Sequence, residues 1–156
     1  MTPIGLELGC GLNPAPHYVH HDKCAHSPWV DVAHDLNILP WPWTDGEWPK
    51  IVAFDVVEHL KLDVQEWLDE CWRILRPDGL LVIRVPMWNH WTAWVDPTHR
   101  RAFHPQTFDY WDPSKFFHQE YGRFYFAESG RWWRVASADI LGDGNLQFVL
   151  RKLAGD

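Results

Sequence analysis

Short apolar runs and turn residues alternate along the first third of the chain. Ile4 to Leu8 is an apolar run that stops at Gly9-Cys10-Gly11, and Asn13-Pro14-Ala15-Pro16 then forbids regular structure. The pattern predicts a buried strand that ends in a glycine turn. His17 to Asp22 and Trp29 to Ala33 carry aromatic and β-branched residues between turn signals and predict two more brief strands. Residues 36–49 read as a loop broken by proline, and Ile51 to Phe54 as a further strand. From Val56 the period changes. Val57, Leu60, Val64, Trp67, Leu68, Cys71 and Leu75 recur at three- and four-residue steps, which predicts an amphipathic helix from Val56 to Arg76, stopped by Pro77-Asp78-Gly79.

Leu80 to Val85 is apolar except for Arg84 and reads as a central strand covered on both faces. Pro86 to Gly130 has weak periodicity and many Trp, His, Phe and Pro residues, and it is too long for an ordinary connection. Trp132 to Leu141 and Asn145 to Leu153 flank Gly142-Asp143-Gly144 and predict an antiparallel hairpin. The order of elements is that of an α/β sheet, mostly parallel, with an antiparallel edge.

A length of 156 residues suits one domain, residues 1–156, in which the aromatic segment 86–130 serves as a lid or acceptor site. A 46% hydrophobic share beside 22% charged residues can build a core, unlike the composition of disordered chains. The net charge of −7 argues against DNA or RNA as a partner, because that affinity comes from Lys and Arg displacing counterions. Cys10, Cys24 and Cys71 have no paired spacing and suggest neither a disulfide framework nor a zinc knuckle. No basic leader precedes the first strand and no apolar run is long enough to span a membrane, so a soluble, cytoplasmic protein is expected. Twelve tryptophans point to pocket walls, or to indoles filling an undersized core.

The first candidate site is Glu7-Leu8-Gly9-Cys10-Gly11 at the end of the first strand, with Asp22 at the end of the second. In open α/β sheets ligands settle beyond the carboxyl ends of the strands, where glycines allow close approach and a carboxylate can accept from ribose hydroxyls. A nucleoside-containing ligand follows. A third glycine and a helix directly after Gly11 are both missing, and a diphosphate would need them. These residues resemble the class I S-adenosylmethionine-dependent methyltransferases, whose first motif has the form ExGxG. The likeness extends to Asp22, His34-Asp35-Leu36 with Leu39-Pro40-Trp41, Asp55-Val56-Val57-Glu58-His59-Leu60, and Arg73 to Leu81.

The resemblance implies a compact Rossmann-like fold and S-adenosylmethionine as cofactor. It implies that Glu7, Gly9 and Gly11 form the motif turn facing the methionine part, that Asp22 holds the ribose, and that Asp35 accepts from the adenine amino group while Leu36 packs on the ring. Phe54 and Asp55 would close the methionine side. The chain departs from the family in having room for only about six residues between Gly11 and His17, so the helices are reduced and one wall of the site is thin. That wall leaves room for a homodimer, as do two late edge strands.

Asp55, Glu58 and His59 share one helical face, and two carboxylates with an imidazole could hold a hard divalent metal; the spacing also resembles the metal-binding segment of ubiquinone-pathway O-methyltransferases. The favoured reading is structural, with Glu58 at a helix N-terminus, His59 packed beneath the sheet and no metal. Trp94 to Arg100 contains a DPTH element that looks like one small branch of the family. There His99, oriented by Asp96, is the general-base candidate for a hydroxyl acceptor; Asp96 and Thr98 capping a turn while His99 fastens the segment to the sheet is the equal alternative. Arg100 and Arg101 would meet an anionic substrate or be solvated. His17, His20, His21, His26 and Cys24 match no standard zinc spacing and read as surface or packing residues. The expected activity is methyl transfer to a small-molecule substrate, with His99, Asp96 and His59 as the catalytic candidates. A non-catalytic cofactor-binding or interaction module, and a metal-dependent hydrolase or lyase, are the rivals.

Overall fold

Three parallel neighbours form the middle of the sheet because their sequences are short apolar runs that only mutual pairing can bury. The computed structural model describes residues 2–154; Met1, Gly155 and Asp156, the outermost positions of the expected domain, lie outside the described residues. β1 (Gly5–Leu8), β2 (Tyr18–Asp22), β3 (Val32–Ala33), β4 (Trp48–Phe54) and β5 (Leu75–Pro86) run parallel, and β6 (Trp133–Ile140) with β7 (Asn145–Lys152) adds an antiparallel hairpin. The order across the seven-stranded sheet is β3-β2-β1-β4-β5-β7-β6. β7 pairs with β5 on one side and β6 on the other, so only one of the two late strands is an edge, contrary to the sequence expectation.

The long helix expected from Val56 to Arg76 is divided. A 3-10 turn, Val57–His59, is followed by extended backbone at Leu60, and the α-helix proper, α1, spans Val64–Ile74. Asp63 starts it by forming a capping box with Glu66, whose Oε2 accepts from Asp63 N–H at 3.1 Å. Val57 and Leu60 keep the same apolar face across the break, which is why periodicity alone did not reveal it. Pro77-Asp78-Gly79 lies inside β5 where the pairing with β4 skips from Trp48↔Leu75 to Lys50↔Leu80, and Pro49, which lacks an N–H, sits at that irregularity.

β5 is covered on one face only. Leu81, Ile83 and Val85 have no exposure, whereas Leu80, Val82 and Arg84 are half-buried. The buried face meets Trp67, Leu68, Cys71 and Ile74 of α1 and a set of aromatics from residues 86–130. That segment holds two short helices, α2 (Thr92–Val95) and α3 (Arg123–Tyr125), a 3-10 stretch Thr107–Trp111 and a π-helical turn His118–Gly122. Phe103 and Phe108 are almost wholly buried, and the Phe108 ring meets Phe148 of β7 edge-on at 4.7 Å. Trp111 Nε1–H donates to Gln65 of α1 at 2.6 Å, and buried Asp112 accepts from Val135 N–H at 2.8 Å, fastening the segment to β6. Part of the tryptophan- and phenylalanine-rich segment is therefore core in place of helices. Among the described residues no helix is long and apolar enough to cross a membrane.

Phe108→Ala removes a ring wholly enclosed by α1, β7 and its own segment, and is expected to cost about 3–5 kcal/mol. Urea unfolding monitored by tryptophan fluorescence reads this; a loss within experimental error of zero would show that the segment is not part of the core.

Candidate functional site

β1 delivers its chain to a turn whose left-handed backbone favours glycine. Gly9 and Gly11 have φ of +65° and +56°, and a Cβ on Gly9 would stand 2.5 Å from Val56 Cγ2. The turn is fastened to the end of β2. Gly11 N–H donates to Asp22 Oδ2 at 2.8 Å, and Cys10 N–H to the His21 carbonyl at 2.9 Å. His21, 1% exposed, bridges further. Its Nε2 is 2.8 Å from the His34 carbonyl and must carry the proton, since a carbonyl only accepts; Nδ1 is then the acceptor for Gly9 N–H at 3.3 Å. Burial holds the His21 imidazole below its ordinary pKa, against the opposing pull of the His34 carbonyl, and so keeps it neutral as this bridge requires. Trp43 supports it from below, edge-on at 5.4 Å.

No helix follows Gly11, and other groups do its work. Glu7, 5% exposed, accepts from Ala15 N–H at 2.9 Å, while Trp29 Nε1–H donates to the Gly11 carbonyl at 3.2 Å. Burial raises the Glu7 carboxyl, partly offset by the Ala15 N–H.

A cavity of about 310 Å³ opens beyond these strand ends, bounded by Gly9, His21, Asp22, Asp35, Leu36, Asp55 and His59, with Lys23, His34, Asn37, Val56 and Leu60. Of the residues expected to bind cofactor, Gly9, Asp22, Asp35, Leu36 and Asp55 thus converge on one hollow. Glu7, Gly11 and Phe54 do not line it: Glu7 and Gly11 build the turn, and the Phe54 ring lies under the Arg84 guanidinium at 5.1 Å. Burial would raise the Asp22 carboxyl, but hydrogen bonds from Gly11, Lys23 and His26 outweigh it and hold the group below the usual carboxylate range. Asp35 is held low by the Asn37 N–H, then by its side chain and by Lys23, whose Nζ is 3.3 Å away. Asp55, at φ +57°, pairs its carboxylate with Arg84.

At the far rim stand His59 and His99, rings 4.6 Å apart. His99 lines a second cavity of about 400 Å³ with Ala93, Trp94, Asp96 and Arg100. The Asp96 carboxylate does not hydrogen-bond the His99 ring: its Oδ2 is 3.9 Å from Nε2, and His99 Nδ1 instead meets the Ala93 carbonyl at 3.1 Å, while the Asp96 carbonyl accepts from His99 N–H at 3.2 Å. Asp96 accepts from Thr98 N–H and Oγ1–H at 2.8 and 2.7 Å, and Thr98 Oγ1 is 2.8 Å from His59 Nδ1. Asp96 is thereby linked to His59. Burial, then the neighbouring His99, lowers the His59 pKa. His59 is not beneath the sheet, as expected, but on the rim. Glu58 is buried, and burial pushes its carboxyl up to about 8. Arg101 also lines the second cavity, and its Nη2 donates to the carbonyls of Leu60 and Leu62 at 2.8 and 2.6 Å. Sequence reasoning missed His21, whose position in a strand carried no sign of the bridge, and Lys23, although it directly follows Asp22.

Residues 7–83 match the family described as methyltransferase domain. Over 62 residues, 40% of this chain, it is 37% identical to a protein of Mycolicibacterium smegmatis named as a probable S-adenosylmethionine-dependent methyltransferase. The match covers 23% of that relative, so the chain corresponds to less than a quarter of its length. In shape the chain is similar to a Haloferax volcanii protein solved with the methyltransferase activator Trm112, at TM-score 0.59 and 16% identity over 99% of this chain and 85% of the other. It is also similar to an S-adenosylmethionine-dependent methyltransferase of Archaeoglobus fulgidus, at TM-score 0.58 and 14% identity over 94% and 85%. Likenesses at such identities are likenesses of fold.

The two turn glycines should respond differently to alanine. Gly11→Ala, with open space around its Cβ, is expected to cost roughly 1–2 kcal/mol for the left-handed backbone alone. Gly9→Ala should cost about 1–3 kcal/mol more from the collision with Val56, and thermal unfolding that ranked them equal would contradict the packing described. His21 also makes stability depend on pH. The folded chain keeps it neutral while the unfolded chain protonates it from its ordinary value of 6.5 downward, so stability is lost as pH falls through that value. Urea midpoints at about pH 7.5 and about pH 5.5 should lie closer together in His21→Gln than in the parent; an unchanged gap would contradict the buried neutral bridge.

Proposed function

We propose, from the premise that residues 7–83 are a methyltransferase domain similar to that of an S-adenosylmethionine-dependent relative, that this chain transfers a methyl group to a small-molecule acceptor. The observation that carries the reading is the convergence of Gly9, Asp22, Asp35 and Leu36 on one cavity at the strand ends. S-adenosylmethionine, the cofactor named for that relative, supplies when bound a sulfonium methyl: an acceptor lone pair takes the methyl carbon, the carbon–sulfur bonding pair returns to sulfur, and the acceptor gives up a proton.

The chain's own residues suit that ligand. Asp22 and Asp35, both kept ionised, keep acceptor capacity beyond the partners they already have, as each carboxylate oxygen can take more than one donor. Asp22 would take ribose hydroxyls and Asp35 the adenine amino group, the Lys23 to Asp35 contact yielding on entry since the lysine is largely exposed. Leu36, fixed by the Trp41 indole N–H on its carbonyl at 3.0 Å, offers an apolar wall for the ring. Glu7 and Gly11 act as positioning residues that hold the turn, and Asp55, its carboxylate paired with Arg84, closes the other side.

The acceptor would enter at the His59 and His99 rim, under a lid formed by residues 86–130, where Trp91 and Trp94 are two-thirds exposed. Such a lid excludes water and holds the nucleophile in line, which a displacement needs. His99 Nδ1 donates to the Ala93 carbonyl, so its Nε2 lone pair is free to take the proton of a hydroxyl acceptor. Asp96 acts through Thr98 on His59 as a positioning residue.

Isothermal titration with S-adenosylmethionine and S-adenosylhomocysteine tests the reading. Both should bind at one site, and Asp22→Ala and Asp35→Ala should each weaken binding about tenfold or more, the equivalent of roughly 1.4 kcal/mol for a lost charged hydrogen bond. Absence of binding by either compound would overturn it.

A further inference from the structure

Glu58 is a buried acid without a partner. It is 1% exposed, and neither carboxylate oxygen meets a hydrogen-bond donor among the described residues. Buried carboxylates normally have hydrogen bonds, a paired charge or a metal. What stands near Glu58 is a pair of imidazoles: one ligand atom from each of Glu58, His59 and His99 lies within 4.8 Å of the other two.

Both imidazoles are already set for coordination. Thr98 gives its hydroxyl proton to Asp96, so toward His59 the Thr98 oxygen accepts, and His59 must carry its proton on Nδ1. His99 donates from Nδ1 to the Ala93 carbonyl. Each ring is therefore locked by an outer partner in the tautomer whose Nε2 is a bare lone pair, the arrangement found behind metal-bound histidines. Asp55 does not belong to the set, because its carboxylate is taken by Arg84. The acid nearest His99 is Asp96, whose Oδ2 is 3.9 Å from Nε2 and adds negative charge beside the group.

We propose that Glu58, His59 and His99 bind one divalent transition-metal cation. Two imidazoles and one carboxylate suit zinc, cobalt or manganese and leave further coordination positions for an exogenous oxygen or nitrogen. The set joins the end of β4 to the 86–130 segment, so the cation would cross-link them. It would also lie between the two cavities, since His59 lines one and His99 the other. Under the methyl-transfer reading, on which this clause rests, that is where the acceptor atom arrives. A hydroxyl held by the cation then loses its proton to solvent more readily, and His99 as a ligand no longer serves as the base.

The test needs no cofactor, so it fails or succeeds separately from the methyl-transfer reading. Chelator-treated protein is titrated with Co²⁺ alone, followed by calorimetry and visible absorption. The expected result is one Co²⁺ per chain with d–d bands and no thiolate-to-cobalt charge transfer, which separates this site from the neighbouring group of Cys10, Asp22 and His26. Glu58→Gln and His99→Ala should each weaken binding at least tenfold, while His26→Ala leaves it unchanged. In the unmutated chain, Mn²⁺ should broaden the imidazole NMR signals of His59 and His99 before those of any other histidine, a readout that stands even if a variant fails to fold. No uptake of Co²⁺, a thiolate signature, Glu58→Gln binding as the parent does, or broadening centred on other histidines would overturn the proposal.

Discussion

The grip of β2 on the turn after β1 determines where everything else in this site lies. Backbone at positive φ has little to hold it in place, and here the usual support, a helix running on from the turn, is missing. Its place is taken by hydrogen bonds from Gly9, Cys10 and Gly11 to His21 and Asp22, all at the end of one neighbouring strand. One consequence is that Asp22 has two tasks, to receive Gly11 N–H and to face the cavity. Another is that His21 must remain neutral, because a protonated ring would have no lone pair for Gly9.

Economy of helices shapes the rest of the molecule in the same way. With α1 the only helix of any length among the described residues, the sheet's buried face would be bare over β5 and β7, and residues 86–130 fill that area with Phe103, Phe108 and Trp111. The same segment carries His99 to the rim of the cavity, and Arg101 pins it to the carbonyls of Leu60 and Leu62. Core filling and site building are thus done by one stretch of chain, which couples the stability of the segment to the geometry at His59 and His99.

Much of this was legible in the sequence, for identifiable reasons. Strands announced themselves as short apolar runs closed by glycine or proline; the turn at Gly9 to Gly11, with Asp22 at a strand end, followed from where ligands settle on open sheets, and Asp35 from the likeness to a methyltransferase family. The break between the 3-10 turn and α1 was hidden because Val57 and Leu60 continue the helical period across it. The roles of Glu7 and Phe54 could not be read, since a carboxylate next to a glycine turn looks the same whether it faces a ligand or a loop amide. His99 and Asp96 looked like a pair from their spacing, yet the carbonyl of Ala93 and the hydroxyl of Thr98 take their hydrogen bonds; only coordinates show such competition. The meeting of Glu58 with His99 is a long-range contact without any local signal.

A crystal structure with S-adenosylhomocysteine bound tests the proposed cofactor site most directly. The adenine should lie against Leu36 with its amino group toward Asp35, and the ribose hydroxyls should reach Asp22 over an unmoved Gly9 to Gly11 turn. Density for the ligand elsewhere on the sheet, or a hollow that stays closed by Lys23 and Asp35 at saturating ligand, would contradict it.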